Sequence, residues 1–464
     1  MQRKSSNPFG AVSPAREAAF EILLRVDREG SYGSELLHSS NYEGLSTRDH
    51  SLATELVMGV LRWRSLLDLE IEAKSSQLLR KLDLEVLTAL RLALYQLRYL
   101  DRVPAWAAIN GSVELVKRAR KLSAAPFVNA ILRKLASENL ANGTKTETAS
   151  DSSSPESIAA RLAHPSWLVE RWIKAYGPEA TLEICRHDQS IPRTAIRLRR
   201  PDAEGQLGAE GIELTSGAIL ASARIVQHGE ITKAAAFRQG QCVIQDEGSL
   251  LVAALLGFGE TILDCCAAPG GKTLAIADRN PHAAVAAVEL HPHRARLLKK
   301  LLSAQTPTPT RGSQAIQVIV GDARNLPLAA KFDRVLADVP CSGTGTLARN
   351  PEIKWRLDAG DLSNLQARQL AILRSTMANV AAGGRLVYST CSLEREENED
   401  VIERALADYP SFRVLDCASE LRRFVQNGEL AWADVASLTR GPFLRTIPGI
   451  HPCDGFFAAL LEKT

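Results

Sequence analysis

The sequence predicts a multidomain chain in three parts: an all-α amino-terminal domain, a small α/β connector and a carboxyl-terminal doubly wound α/β domain. Three observations carry this reading. From Ser13 to about Leu140, apolar residues recur at three- and four-residue steps. The polar stretch NGTKTETASDSSSPES, which has no apolar period, follows. From Gly257 onward, short apolar runs alternate with helical patterns, as in a parallel sheet covered on both faces. At 464 residues the chain exceeds one ordinary core. The boundaries are placed at 1–142 for the helical domain, 143–157 for a flexible linker, 158–245 for the connector and 246–464 for the last domain.

Five amphipathic segments make up the helical domain: AREAAFEILLRV, RDHSLATELVMGVLRWRSLLDLEI, LEVLTALRLALYQLRYL, WAAINGSVELVKRARKL and FVNAILRKLA, with Pro104 and Pro126 at helix boundaries. Lys117, Arg118, Arg120 and Lys121 form a basic group, equally readable as a solvated helix face or an RNA-contact stripe. In the connector, HPSWLVERWIKAYGPEATLEICRHD reads as helical. PRTAIRLRR, GIEL and QGQCVIQ read as short strands, and Arg197, Arg199 and Arg200 form a second basic cluster. In the last domain ETILDCCA, AAVAAVEL, IQVIVGDA, DRVLADVP and GGRLVYSTCS read as five successive strands, with TPTPTRGSQ as a loop and DGFFAALLEK closing the sheet. Ligands of such a fold sit at the carboxyl ends of the strands.

Charged residues make up 23% of the chain and no apolar run reaches membrane-spanning length. The first twenty residues lack the apolar core of a secretory signal, so the expectation is a cytoplasmic protein. The eight cysteines show no CxxC pair, which suggests neither a zinc site nor a disulfide framework. A net charge of +3 says little about nucleic acid.

The loop after the first strand, DCCAAPGGKT, pairs glycines with a helix start, where backbone amides approach a ligand closely. Its GGKT end suggests a phosphate loop, but that pattern requires glycine where Cys266 stands. Glu289, Asp322 and Asp338 end successive strands, as ribose- and adenine-binding carboxylates do, and this favours an adenosine-type ligand. Cys341, on a turn after the fourth strand, and Cys391, at the end of the fifth, bring two thiols to the same edge. Either is a candidate nucleophile. Cys185, Cys242, Cys417 and Cys453, with Cys265 at the end of the first strand, read as packing residues.

DCCAAPGGKT, GDAR, DVPCSGTGTLARNPEIKW and YSTCSLEREENE resemble the successive motifs of the NOL1/NOP2/Sun family of RNA cytosine-5 methyltransferases. The helical front resembles the NusB-like domain fused to one branch of that family, the small-subunit ribosomal RNA methyltransferase B (Sun or RsmB) group. The likeness runs over nearly the whole chain. It implies a NusB-like RNA-binding domain followed by a Rossmann-like, S-adenosylmethionine-dependent methyltransferase domain. The substrate it implies is a cytidine of small-subunit (16S) ribosomal RNA, and the expectation is a monomer with no membrane partner. By the same resemblance Cys391 is the nucleophile at carbon 6 of the base and Cys341 assists product release, whereas in DNA cytosine methyltransferases the PC cysteine attacks. Cys266, Ala267, Ala268, Pro269, Gly270, Gly271, Lys272, Glu289, Asp322 and Asp338 hold the methyl donor, and Asp338 also serves the base. The thiol has a chemical reason: carbon 5 of cytosine is a poor nucleophile until addition at carbon 6 makes it part of an enamine. Two departures stand out: Glu289 replaces the family's usual aspartate, and Arg199 stands where many relatives have asparagine.

Overall fold

The computed structural model describes residues 12–141, 154–305 and 316–464. The chain forms two compact units, one comprising residues up to Ser190 plus Leu347–Arg356, the other Ile191–Thr346 plus Leu357–Thr464. The division at Ser190 falls inside the expected connector.

In the first unit the helices are α1 (Pro14–Glu29), α2 (Gly33–Leu37), α3 (Thr47–Lys74), α4 (Leu84–Tyr99), α5 (Ala105–Arg118), α6 (Ala125–Ala141), α7 (Pro155–Arg161), α8 (Ser166–Tyr176) and α9 (Pro178–Asp188). The apolar stripes of α1–α6 meet in one core that includes Ile22, Leu56, Leu90, Leu94, Val116 and Leu132. Burying each such side chain stabilises by about 1.5–3 kcal/mol. α5 ends at Arg118, short of the expected helix end at Leu122, where Arg120 takes a left-handed φ of 61°. Most of the expected linker, 143–153, lies outside the described residues; its last part is the start of α7, capped by the Ser154 hydroxyl on the Ser157 amide.

Three members of the basic group at the end of α5 are engaged internally. Lys117 pairs with Glu114, Arg118 with Glu17 at 2.9 Å and Lys121 with Asp83 at 3.0 Å. The segment Leu347–Arg356, read from sequence as part of a cysteine motif, is built into this helical unit. The Trp355 indole donates to the Leu61 carbonyl (2.6 Å), Lys354 Nζ to the Arg62 carbonyl (3.0 Å) and the Gly33 amide to Glu352 (2.7 Å). Arg356 donates to the carbonyls of Val26 and Gly30, near the end of α1 (both 2.7 Å), where a helix leaves acceptors unfilled.

The second unit carries two sheets. The smaller is antiparallel and contains β1 (Thr194–Leu198), β2 (Glu213–Ser216), β3 (Ala223–His228) and β4 (Cys242–Ile244), in the order β2-β3-β1-β4. β3 was not anticipated. Arg197 of β1 and Arg199, just after it, both pair with Asp278, at 2.7 and 2.6 Å, so two members of the second basic cluster form an internal clamp.

The larger sheet contains β5 (Thr261–Asp264), β6 (Ala284–Glu289), β7 (Gln317–Val320), β8 (Phe332–Asp338), β9 (Val380–Thr390), β10 (Phe412–Leu415), β11 (Thr439–Arg440), β12 (Phe443–Arg445) and β13 (Phe457–Lys463). Its order is β11-β12-β13-β9-β8-β5-β6-β7, with β10 also on β13. β7, β6, β5, β8 and β9 run parallel, and β13 is antiparallel to β9. β5 stops at Asp264, one residue before Cys265, which is nevertheless buried. The order reverses at β5, so the loops after β5 and β8 open side by side, where a doubly wound sheet binds its ligand. The TPTPTRGSQ loop lies outside the described residues.

Candidate active site

The glycine loop leaves β5 and enters the helix Gly271–Arg279. Gly270 has φ +115°, and a Cβ there would lie 2.6 Å from Leu298 Cδ1, so only glycine fits this turn. Asp264, at the tip of β5, is buried. It accepts from the Thr273 hydroxyl at 2.7 Å, which ties the strand end to the helix. Burial pushes its carboxyl up to about 6, partly offset by the Thr273 bond. Gln245, beside Gly271, carries a buried amide oxygen with no hydrogen-bond partner among the described residues.

The candidate carboxylates end successive strands. Glu289 is buried at the end of β6 and accepts from the His291 amide at 2.8 Å. Asp322, after β7, is held by the backbone amide and guanidinium of Arg324, whose hydrogen bonds lower its pKa. Asp338, at the end of β8, accepts from Lys272 Nζ at 2.8 Å and from the Ser389 hydroxyl at 2.7 Å. Lys272 also lies over the Phe456 ring, 4.9 Å from its centre. Burial works against the Lys272 ammonium, but Asp338, helped by Cys391 and Asp264, outweighs it and raises its pKa.

The two thiols meet: Cys341 Sγ lies 3.4 Å from Cys391 Sγ. The hydrogen bond with Cys391, then burial, raises the Cys341 pKa well above that of an ordinary thiol. Either sulfur can be the donor across this contact. Backbone contacts lace the two turns together. The Gly345 amide donates to the Cys391 carbonyl at 2.9 Å and the Gly455 amide to the Gly345 carbonyl at 2.7 Å. A Cβ on Gly345 would sit 2.3 Å from the Gly455 carbonyl oxygen. The other anticipated packing cysteines, Cys185, Cys242, Cys417 and Cys453, are buried.

The structure thus brings together Lys272, Asp338, Cys341 and Cys391, with Cys266–Gly271 in the adjoining loop, while Glu289 and Asp322 lie farther along the same sheet edge. Sequence reading missed Asp264, Gln245, Ser389 and Phe456. Asp264 had a visible signal, because it opens the glycine-loop string at a strand end; Ser389 sits one residue from the TC pair.

A family model described as 16S rRNA methyltransferase RsmB/F matches residues 256–462, and the NusB family model matches residues 13–137. A Bacillus subtilis protein named as probable ribosomal RNA small subunit methyltransferase B is 34% identical over 466 residues, covering 97% of this chain and 98% of the relative. The chain belongs to the small-subunit ribosomal RNA methyltransferase B family. A Vibrio cholerae protein named ribosomal RNA small subunit methyltransferase B is 30% identical, with 98% of this chain and 99% of the relative covered. The solved structure of PH0851 shares the fold, with a TM-score of 0.78 at 23% identity over 98% of this chain and all of that one. The RsmB/F family is S-adenosylmethionine-dependent. The site fits that cofactor: the loop is closed to side chains at Gly270, the Gln245 oxygen is an unfilled acceptor beside it, and Glu289 ends the neighbouring strand. Among the described residues no helix is long and apolar enough to cross a membrane.

Proposed function

We propose that this chain methylates carbon 5 of a cytidine in small-subunit ribosomal RNA through a covalent cysteine adduct at carbon 6. The observation that carries the reading is the 3.4 Å approach of two thiols beside the Lys272–Asp338 ion pair at the ligand edge of the sheet. Cys266–Lys272, Glu289, Asp322 and Asp338 would hold S-adenosylmethionine, which supplies an electrophilic methyl group when bound.

Cys391 attacks and Cys341 assists release, the roles that the motif resemblance implies, and the two sulfurs lie close enough for one to act on the other. The Cys391 sulfur forms a bond to carbon 6, and the ring electrons move toward nitrogen 3. A proton reaches that nitrogen through the Asp338 carboxyl, with the Lys272 ammonium 2.8 Å away as its source. Carbon 5 is then an enamine carbon, able to take the methyl group. The carbon 5 proton leaves to water, which re-forms the double bond and expels the Cys391 sulfur as the thiolate that entered. Cys341 donates a hydrogen bond to the departing Cys391 sulfur, and nitrogen 3 returns its proton through Asp338 to Lys272.

A phosphate-loop reading of GGKT has less support, since the Lys272 ammonium is committed to Asp338 and the Phe456 ring. The test is to incubate unmodified 16S ribosomal RNA with the protein and labelled methyl donor. A bisulfite-protected cytidine is expected. Labelling of another base, or none, overturns the reading.

A further inference from the structure

Each reactive cysteine is followed by a serine, Ser342 after Cys341 and Ser392 after Cys391. Their hydroxyls lie 3.0 Å apart, and both donate to the same oxygen, Oε2 of Glu397. The other oxygen, Oε1, accepts from the Ser342 amide and from the Gln369 side-chain amide, both at 2.8 Å. Gln369 also donates to the carbonyl of Pro340, at 3.0 Å, on the other side of Cys341. Glu397 has no exposed surface, and these four donors are all neutral. A buried carboxylate is tolerated only when hydrogen-bonded, and here every bond goes to a thiol-bearing turn or to the helix behind it. The next residue, Asn398, extends the tie: its amide donates to the Ser392 carbonyl at 2.9 Å, and its oxygen accepts from the Thr390 hydroxyl at 2.6 Å.

We infer that Glu397 is a positioning residue that sets the separation of the Cys341 and Cys391 sulfurs, an inference that rests on reading these two thiols as the reacting pair. A carboxylate suits this place because it is acceptor-only. Two hydroxyls have one proton each to give, and both give it to one oxygen. Glutamine keeps the shape and one acceptor oxygen but presents a donor at the other end, so it preserves half of the tie; alanine preserves none. Loss of the tie lets the turns drift apart. A displacement of about 1 Å at reacting groups costs roughly a hundredfold in rate.

The test uses the full chain and two readouts. The first is oxidation by an azodicarboxamide, in which two thiol protons and two electrons pass to the N=N bond and a Cys341–Cys391 disulfide forms, followed by peptide mass spectrometry. Sulfurs already 3.4 Å apart need little movement to bond. Glu397→Ala is expected to slow this closure about tenfold or more, and Glu397→Gln to restore part of it. The second readout is methyl transfer to 16S ribosomal RNA: Glu397→Ala is expected to lower kcat about a hundredfold while leaving KM for S-adenosylmethionine within about twofold, with partial rescue by glutamine. Closure as fast in Glu397→Ala as in the wild type overturns the inference, whatever happens to methylation. Slowed closure in a protein whose wild type methylates no RNA upholds the positioning role and overturns the functional reading instead. Should the alanine variant not fold, Ser342→Ala and Ser392→Ala each remove one side of the tie and are expected to slow closure in the same direction. Unchanged closure in both also overturns the inference.

Discussion

Lys354 is fully buried in the helical unit, its ammonium donating to the Arg62 carbonyl, and burial pushes its pKa from the ordinary 10.5 down to about 7. Between those two values the unfolded chain holds a proton that the folded chain does not. Stability therefore rises with pH across this window, and the burden on the fold is greatest below pH 7. At about 1.4 kcal/mol per pH unit, raising the pH from 7 to 9 adds roughly 2–3 kcal/mol to the wild type. Lys354→Met removes the titration. Its cost is one hydrogen bond to a carbonyl already inside α3, about 1 kcal/mol. The assay is urea unfolding of wild type and variant at matched pH values, followed by tryptophan fluorescence, five of the six tryptophans being in this unit. Subtracting one protein from the other cancels every group they share. The wild type is expected to gain those 2–3 kcal/mol on the variant between pH 7 and 9. Parallel pH profiles would refute the buried, neutral-leaning lysine and with it the account of how 347–356 is held.

Two further substitutions probe the supports of the site, and a third probes the helical unit. Thr273→Val removes the hydroxyl that donates to buried Asp264 and is expected to cost about 1–3 kcal/mol, read as a lowered melting temperature, while raising the Asp264 pKa above about 6. Lys272→Met leaves the Asp338 carboxylate without its cation; methyl transfer should fall about tenfold to a hundredfold in single-turnover assays. Arg356→Ala strips the carbonyls near the end of α1 of their donor and should destabilise the helical unit by about 1–3 kcal/mol in the same urea assay.

The periodic parts of the fold were legible. The long helices follow from three- and four-residue apolar steps, and β5, β6, β8 and β9 from buried apolar runs that end in Asp264, Glu289, Asp338 and Thr390. Short elements were not: β3, β10 and the helix Cys417–Gln426 depend on partners such as β13, which gives β10 its ladder from 45 residues downstream. The fate of the basic clusters was hidden for the same reason, since Arg118 finds Glu17 across 101 positions and Arg199 finds Asp278 across 79. Local spelling put both thiols on one edge, but their contact follows from the parallel pairing of β8 with β9, in which Asp338 sits opposite Ser389. Nothing in the string NPEIKW announces that it folds with the helices, because Leu61, Arg62 and Gly33 lie about 300 residues away. The site's supports, Gln245, Ser389 and Glu397, are polar residues whose roles exist only once their partners are assembled.

The most direct measurement of the central claim is covalent capture of RNA by single-cysteine variants on a denaturing gel, with S-adenosylmethionine present. Cys341→Ala, which retains the attacking sulfur but lacks the hydrogen-bond donor for its departure, is expected to accumulate an enzyme–RNA adduct. Cys391→Ala is expected to form none. An adduct in Cys391→Ala, or equal capture by both variants, would contradict the assignment of Cys391 as nucleophile and Cys341 as its releasing partner.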